Sequence, residues 1–392
     1  MSSLLLFVIY LIFISLGLPD AMLGSAWPTM YRQFQVPVSY AGVVSMIIAF
    51  GTIISSLQSD RLTKKLGTGK VTAISVCLTA VALFGFSICS EYWMLCLWAI
   101  PYGLGAGSVD ASINNYVAIH YASSHMSWLH CMWGLGTTIG PAIMGYMLTG
   151  GKSWTSGYRT VGILQVILTA IILASLPLWK KSSCEDGPVE TGSRPLTIKE
   201  TLAIPGAKSV LIMFFCYCAL EQTAMLWGSS FLTLARGVSA EQAAKLASMF
   251  CIGITIGRGV CGFITIRLDD DRMIRLGQGI IFCAVILLMI PAENTCFSLI
   301  GLIMVGVGCA PIYPCIIHST PARFGADKSQ AIIGMQMAFA YIGTCLMPPL
   351  FGLIANHISA ALFPVYLLIF LVLMAFLHER QMLNIVLEDI SC

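Results

Sequence analysis

The sequence predicts an all-α membrane protein with twelve transmembrane helices, because of its composition and the length of its apolar segments. Of the 392 residues, 57% are hydrophobic and only 10% are charged, whereas soluble domains carry about 25% charged residues. The apolar segments are about 20 residues long, which is the length that crosses ~30 Å of hydrocarbon. They do not alternate with polar residues, so a transmembrane barrel is excluded. The composition also excludes a soluble enzyme, a disordered protein and a nucleic-acid-binding protein.

Twelve apolar segments follow one another along the chain, separated by short polar loops. We expect them near residues 4–30, 39–59, 70–90, 93–118, 126–149, 158–179, 209–234, 241–266, 273–292, 296–318, 329–352 and 357–378. One long polar stretch, rich in charge, Gly and Pro, separates the sixth span from the seventh, and such a composition is typical of a linker. It predicts an N-terminal six-helix bundle at 1–180, a cytoplasmic linker at 181–208 and a C-terminal six-helix bundle at 209–392. Two equal halves are the layout of transporters built from repeats.

Lys and Arg are distributed unevenly between the two sets of loops. One set holds fifteen of the 21 basic residues and the other set holds five. Because basic residues accumulate in cytoplasmic loops, the first set, the linker and both termini are predicted to be cytoplasmic. We therefore expect a multi-pass protein of the cell membrane, and we expect it to act as a monomer.

The cysteines and histidines do not form a metal-binding pattern. Most of the 15 cysteines lie inside apolar runs, and no CxxC pair occurs, so they are expected to pack as small buried residues. His120, His125 and His130 recur every five residues, which does not place them on one helix face. No metal ion and no cofactor are predicted.

Three pairs of glycines recur at helical spacing within predicted spans. They are Gly103 with Gly107, Gly136 with Gly140, and Gly253 with Gly257. Small residues at this spacing let helix backbones approach closely in lipid. We expect tight helix packing at these positions.

The loop after span two carries a distinctive cluster of charges at residues 56–67. It resembles the signature of the major facilitator superfamily between spans two and three, G-x-L-x-D-R-x-G-R/K-R/K-x-G. The matching residues are Asp60, Arg61, Lys64, Lys65 and Gly67. Ser56 and Thr63 stand where the family has glycine. A basic cytoplasmic loop would account for the lysines but not for the Asp-Arg pair at the helix end.

Further residues resemble the fucose-permease-like branch of that superfamily, the sugar:proton symporters. They are Gly17, Asp20, Gly24 and Trp27 in span one, Gly103, Gly107, Asp110, Asn114 and Asn115 in span four, Trp128, His130 and Gly136 in span five, Glu221 and Trp227 in span seven, and Gly257, Arg258 and Gly262 in span eight. The resemblance covers essentially the whole chain. It implies the major facilitator fold, in which two six-helix bundles enclose a central cavity.

Four ionisable residues lie inside predicted spans: Asp20, Asp110, Glu221 and Arg258. Each costs at least ~2.5–3.5 kcal/mol near the bilayer centre, so each is a functional candidate. A carboxyl group that alternates between a wet, ionised state and a dry, protonated state can carry a proton. Glu221 could instead be the partner of an intramembrane base, for which Arg258 is the obvious candidate.

The resemblance gives these groups expected roles. Asp20 would couple transport to the proton, with Asp110 and Glu221 as the other proton-coupling candidates, and Asp110 would also meet the hydroxyl groups of the substrate. The remaining expected substrate-binding residues are Asn114, Asn115, His130, Glu221, Gln222, Trp227 and Gln336. The expected gating residues are Asp60, Arg61, Lys64, Lys65 and Arg258. The gating loop is expected to close the cytoplasmic side, with Asp60 capping or pairing near a helix end.

These observations predict a secondary active transporter. No GxxxxGK[ST], HExxH or GxSxG motif is present, as a nucleotide-driven pump or a membrane enzyme would require. We expect import of a small polar solute, a sugar, by alternating access with proton symport. Two alternatives stay open at this point: proton-coupled efflux of a hydrophobic compound, and sodium-coupled sugar uptake with Asp20, Asp110 and Asn114 as oxygen ligands.

Overall fold

The structure, a computed structural model, describes residues 3–185, 194–290 and 296–391. Within these ranges the chain is helical and contains no β-strand. Residues 186–193 of the predicted linker lie outside the described residues. The helices of the first half are α1 Ser3–Asp20, α2 Met22–Gln33, α3 Tyr40–Leu66, α4 Thr68–Ser87, α5 Tyr92–His120, α6 Ser123–Thr149 and α7 Trp154–Glu185. Those that follow are α8 Ile198–Ala203, α9 Ala207–Arg236, α10 Ala240–Ile264, α11 Asp270–Met289, α12 Cys296–Phe324, α13 Ala326–Ile354 and α14 Phe363–Ser391.

The twelve predicted spans are all present as helices, with two differences from the expected pattern. Span one was predicted as one segment, but it is two helices that meet at Ala21. The linker, for which no helix was predicted, contains the short helix α8. A π-helical turn at Ala355–Ser359 and a 3-10 turn at Ala360–Leu362 join α13 to α14.

Pro19 removes one backbone hydrogen bond of α1 close to Asp20. Proline has no N–H, so the carbonyl oxygen of Ser15, four residues earlier, loses its helical donor. The Gln165 side-chain amide on α7 donates to that oxygen at 2.7 Å, and the Ser15 hydroxyl donates back to Gln165 at 3.0 Å. The neighbouring helix therefore satisfies the backbone group that proline leaves unpaired.

Among the described residues, eight helical segments are long and apolar enough to cross a membrane, and one of them, 326–383, covers α13 and most of α14. Helices α5 and α6 are long enough to span but are less apolar than these segments, and they carry Asp110, Asn114 and His130.

The glycine pairs lie at close helix contacts, as predicted. A Cβ atom on Gly136 or Gly140 would overlap the carbonyl oxygen of Ile14 or Leu18 on α1. A Cβ on Gly107 would likewise overlap the Thr52 carbonyl on α3. These contacts bring α6 against α1 and α5 against α3.

The chain forms two compact units. Unit 1 contains residues 1–120, 129–197 and 324–338, and unit 2 contains residues 121–128, 198–323 and 339–392. Helices α6 and α13 therefore contribute residues to both units. The division into bundles at 1–180 and 209–392 stays a prediction.

Candidate functional site

The end of α1 places the Asp20 carboxylate between two aromatic donors of unit 1. The Trp133 indole N–H on α6 donates to Asp20 Oδ2 at 2.9 Å, and the Tyr102 hydroxyl on α5 donates to Oδ1 at 3.0 Å. Tyr102 is buried, whereas Asp20 is exposed. The indole can only donate, but the tyrosine hydroxyl can donate or accept. Tyr102 can therefore bond both the ionised and the protonated form of Asp20.

A second polar chain in unit 1 begins at Asp110. The Asn114 Nδ2 donates to Asp110 Oδ1 at 2.8 Å, one helical turn along α5. The Asn114 Oδ1 then faces His130 Nε2 at 3.1 Å. Since an amide oxygen accepts only, this contact requires the hydrogen of His130 on Nε2. Asp110 lies eight residues after Tyr102 on α5, which is about 12 Å along the helix axis.

The sequence-predicted residues of unit 1 are thus only partly brought together. Asp110, Asn114 and His130 form one hydrogen-bonded chain, and Asn114 and His130 are buried. Asn115 instead accepts a hydrogen bond of 2.6 Å from the Ser329 hydroxyl at the start of α13. Gln336, further along α13, is fully buried in unit 1.

In unit 2, Glu221 and Arg258 form an ion pair. The Arg258 Nη2 to Glu221 Oε1 distance is 3.2 Å, and the Arg258 side chain is 3% exposed against 18% for Glu221. The guanidinium carbon lies 5.9 Å from the centre of the Tyr313 ring. The sequence left two interpretations of Glu221: a proton-coupling acid, or the partner of an intramembrane base. The structure pairs Glu221 with such a base, Arg258.

The other two predicted residues of α9, Trp227 and Gln222, have different surroundings. The Trp227 indole donates to the Pro348 carbonyl at 2.9 Å and packs edge-on against Phe351, so it stabilises α9 against α13. Gln222 is half-buried.

The charged cluster at 56–67 was predicted as a loop, but residues 56–66 form the last turns of α3, and their side chains contact the linker. Asp60 is buried; it pairs with Lys64 at 3.1 Å and accepts the Leu196 backbone N–H at 3.0 Å. Lys64 also donates to the Arg194 carbonyl at 3.3 Å. Arg61 and Lys65 are exposed. Gly67 ends α3 with a φ of +81°, which explains the last glycine of the motif.

Several polar contacts were not expected from the sequence. Trp133 and Tyr102 were not identified as donors to Asp20, because only the fold brings α1, α5 and α6 together. A network at the start of α11, made by Asp270, Asp271, His318, Arg323, His378 and Glu379, was also missed. Within the described residues, no group of three His, Cys, Asp or Glu side chains could hold a metal ion.

A family model described as the Major Facilitator Superfamily matches residues 9–348 and 210–383 of this chain. The chain belongs to the Major Facilitator Superfamily. It is therefore a multi-pass membrane transporter and not an enzyme, and its all-α fold, with helices at all twelve predicted spans, confirms the predicted fold class.

Curated relatives and solved structures agree with this assignment. The chain is similar to the glucose/mannose transporter GlcP of Bacillus subtilis (strain 168), with 21% identity over 313 residues that cover 78% of this chain and 77% of GlcP. It is also similar to the quinolone resistance protein NorA of Staphylococcus aureus (strain MRSA252), with 23% identity over 380 residues that cover 93% and 92% of the two chains. Its fold matches a crystal structure of the transporter FucP in the outward conformation, with a TM-score of 0.73 at 16% identity, covering 96% of this chain and 99% of FucP. The predicted resemblance to the fucose permease is confirmed for the fold.

Proposed function

We propose that this transporter imports a sugar together with a proton. The observation that carries the proposal is the pair of acids in unit 1. Among the described residues, Asp20 and Asp110 accept hydrogen bonds from neutral groups and have no basic partner. A carboxylate without a positive partner is stable in a dry, apolar environment only when it takes up a proton.

Asp20 is the proposed proton carrier. It is exposed and can exchange a proton with water, whereas Asp110 is half-buried and tied to Asn114. Its Tyr102 partner can turn from donor to acceptor when the carboxyl group becomes protonated. Trp133 contributes a fixed donor that favours the ionised form.

Asp110, Asn114 and His130 are the proposed sugar-binding chain. A carboxylate, an amide and an imidazole offer both donors and acceptors at fixed angles, as sugar hydroxyl groups require. The similarity to GlcP, which is named as a glucose/mannose transporter, supports a hexose as the substrate class. Glu221 is a weaker candidate for either role, because Arg258 already neutralises it.

Sodium is the alternative coupling ion. Na⁺ would need several oxygen ligands around one point. Asp110 and Asn114 supply neighbouring oxygens, but the Asn114 oxygen already faces His130. We therefore favour the proton.

Proton-coupled efflux is the alternative direction, and the similarity to NorA supports it. An efflux pump for apolar compounds needs a broad apolar site. The polar chain from Asp110 to His130 is better suited to a polar solute.

We infer that both termini and the charged end of α3 are on the cytoplasmic side of the cell membrane. The distribution of Lys and Arg supports this orientation. A reporter fused within 183–193 should be cytoplasmic and one fused at 152–156 should be external. A linker found outside would overturn the orientation.

Reconstitution into vesicles tests the function directly. Uptake of radiolabelled glucose, mannose, xylose and fucose is measured with a pH gradient, with a sodium gradient and with neither. We expect accumulation of at least one sugar with the pH gradient only. Accumulation with sodium alone would contradict proton coupling. Accumulation of a fluoroquinolone or a cationic dye with no sugar uptake would favour efflux.

A further inference from the structure

The first turn of α6 is held in unit 2 by a network that contains titratable groups. The Ser123 hydroxyl donates to Asp270 Oδ1 at 2.5 Å, and His318 Nδ1 lies 2.6 Å from Asp270 Oδ2. The other ring nitrogen, His318 Nε2, lies 3.0 Å from the Tyr121 carbonyl oxygen. We call these four residues the α6 latch: Tyr121, Ser123, Asp270 and His318.

The geometry of the α6 latch requires a bound proton. Both nitrogens of His318 face oxygen atoms, and the Tyr121 carbonyl can only accept a hydrogen bond. Nε2 must therefore carry a hydrogen. The short contact at Nδ1 needs a second hydrogen, either on Nδ1 or on the Asp270 carboxyl group. In both arrangements the pair holds one proton more than a neutral imidazole beside a carboxylate.

The surrounding charges are paired with one another. Asp271 binds both Arg323 and His378, and Arg275 forms a bidentate pair with Glu379. Arg323 also interacts electrostatically with Asp270. The remaining titratable or charged groups facing the latch from α6, α11 and α12 are His125, Asp269, Arg272 and Cys315. Among the described residues, His318 is the base that forms a direct hydrogen bond with Asp270.

Unit 1 contains a counterpart that cannot titrate. The start of α13 is held there by Ser329, which donates to Asn115 at 2.6 Å, and by Gln330, which donates to the Ser59 hydroxyl at 3.2 Å. We call these four residues the α13 latch: Ser59, Asn115, Ser329 and Gln330. Hydroxyl and amide groups keep their protons between pH 6 and 8, so the α13 latch is a built-in control.

We propose that the α6 latch is a proton-operated switch that keeps the first turn of α6 in unit 2. The latched state binds one proton more than the released state, so its stability falls as the pH rises. The ordinary titration range of histidine places this dependence near neutral pH. With the proposed orientation the latch senses the cytoplasm. If the proposed proton symport is correct, uptake acidifies the cytoplasm. The lower pH then strengthens the latch, and the stronger latch slows further uptake.

Hydrogen–deuterium exchange of the full-length protein in nanodiscs, without any substrate, tests the switch. Protection factors of peptides covering 121–128 and 326–338 are compared at pH 6 and pH 8 after correction for the intrinsic exchange rate. One linked proton changes the latching constant by up to about tenfold per pH unit. We expect protection of 121–128 to fall about tenfold or more at pH 8, whereas protection of 326–338 stays constant. Equal protection of 121–128 at both pH values would overturn the proposal.

Asp270→Asn removes the need for the extra proton while keeping the hydrogen bonds of the latch. The Asn amide can donate to a neutral His318 Nδ1 while its oxygen still accepts from Ser123, so 121–128 should stay protected at both pH values. His318→Gln should lose protection at both. Asp269→Asn is the matched control, because Asp269 caps α11 through the Arg272 N–H at 2.8 Å and Asn caps equally well. Asp269→Asn should keep the wild-type pH dependence of protection. If Asp270→Asn also kept that pH dependence, the proposal would be contradicted. Because no sugar is present, a failure here is distinct from a failure of sugar symport.

Discussion

The intramembrane acids of the two units have opposite surroundings. Glu221 in unit 2 lies 3.2 Å from a guanidinium group, whereas Asp20 and Asp110 in unit 1 are bonded by indole, hydroxyl and amide groups. An ion pair keeps both partners charged, so it suits a structural or gating role. An acid among neutral donors can gain and lose a proton without leaving a buried charge unpaired. The comparison therefore supports the proposal that proton transfer takes place in unit 1.

Breaking the ion pair should have the largest effect. Arg258→Met leaves Glu221 without a positive partner, and such a change costs about 3–5 kcal/mol. We expect a large drop in the thermal unfolding midpoint in detergent, mostly recovered in the double variant Glu221→Gln/Arg258→Met. Asp20→Asn, the matched change in unit 1, should alter stability by less than about 1 kcal/mol. Equal stability of Arg258→Met and Asp20→Asn would remove the distinction between the units.

Asp110→Asn sharpens the comparison within unit 1. A hydrogen bond from a hydroxyl group to a carboxylate contributes ~1.5–3 kcal/mol, which is roughly 10- to 100-fold in affinity. We expect sugar binding to weaken by this factor, measured as loss of ligand-induced thermal stabilisation. Asp20→Asn serves as the control and should bind sugar normally. If Asp110→Asn binds as the wild type does, Asp110 is not a substrate ligand.

Gly136→Ala tests whether close packing of α1 against α6 builds the Asp20 site. The added Cβ would overlap the Ile14 carbonyl oxygen, and overpacking of this kind costs about 1–3 kcal/mol. We expect lower stability together with weaker pH-driven uptake. Gly145→Ala on the same helix meets no atom within 4 Å and should behave as the wild type. Similar losses in both variants would argue against a specific contact.

Asp60→Asn should have the smallest effect on binding. It removes the charge that pairs with Lys64 and accepts the Leu196 N–H. Asn keeps an oxygen that can accept the Leu196 N–H, and the lost pairing with the half-buried Lys64 side chain contributes about 1 kcal/mol, so we expect a transport rate reduced about fivefold with nearly unchanged sugar affinity. Equal losses in rate and affinity would mean that the loop shapes the binding site.

Much of the fold was predictable, because each span is a local apolar segment that has to cross the bilayer. The break at Ala21 was not predicted, since it depends on Pro19 and on the answering amide of Gln165, which lies 150 residues from Ser15. The charged residues of the site were identified by their rarity in apolar segments. Their partners were not, because the Asp20–Trp133 and Asp270–His318 contacts join helices far apart in sequence.

The α6 and α13 latches, at the start of two helices, were also not predictable from the sequence. The neutral side chains of the α13 latch give no sequence signal, and His318 follows two prolines within an apolar helix. Only tertiary contacts distinguish a titratable latch from a neutral one.

The central claim, that Asp20 carries the driving proton, is tested most directly by two assays on Asp20→Asn in reconstituted vesicles. Asn mimics the permanently protonated acid, so the variant should still bind sugar and should exchange labelled for unlabelled sugar across the membrane at a rate near that of the wild type. It should not accumulate sugar when a pH gradient is imposed, because no proton can be released. Normal pH-driven accumulation by Asp20→Asn would contradict the account and would move the proton to Asp110 or Glu221.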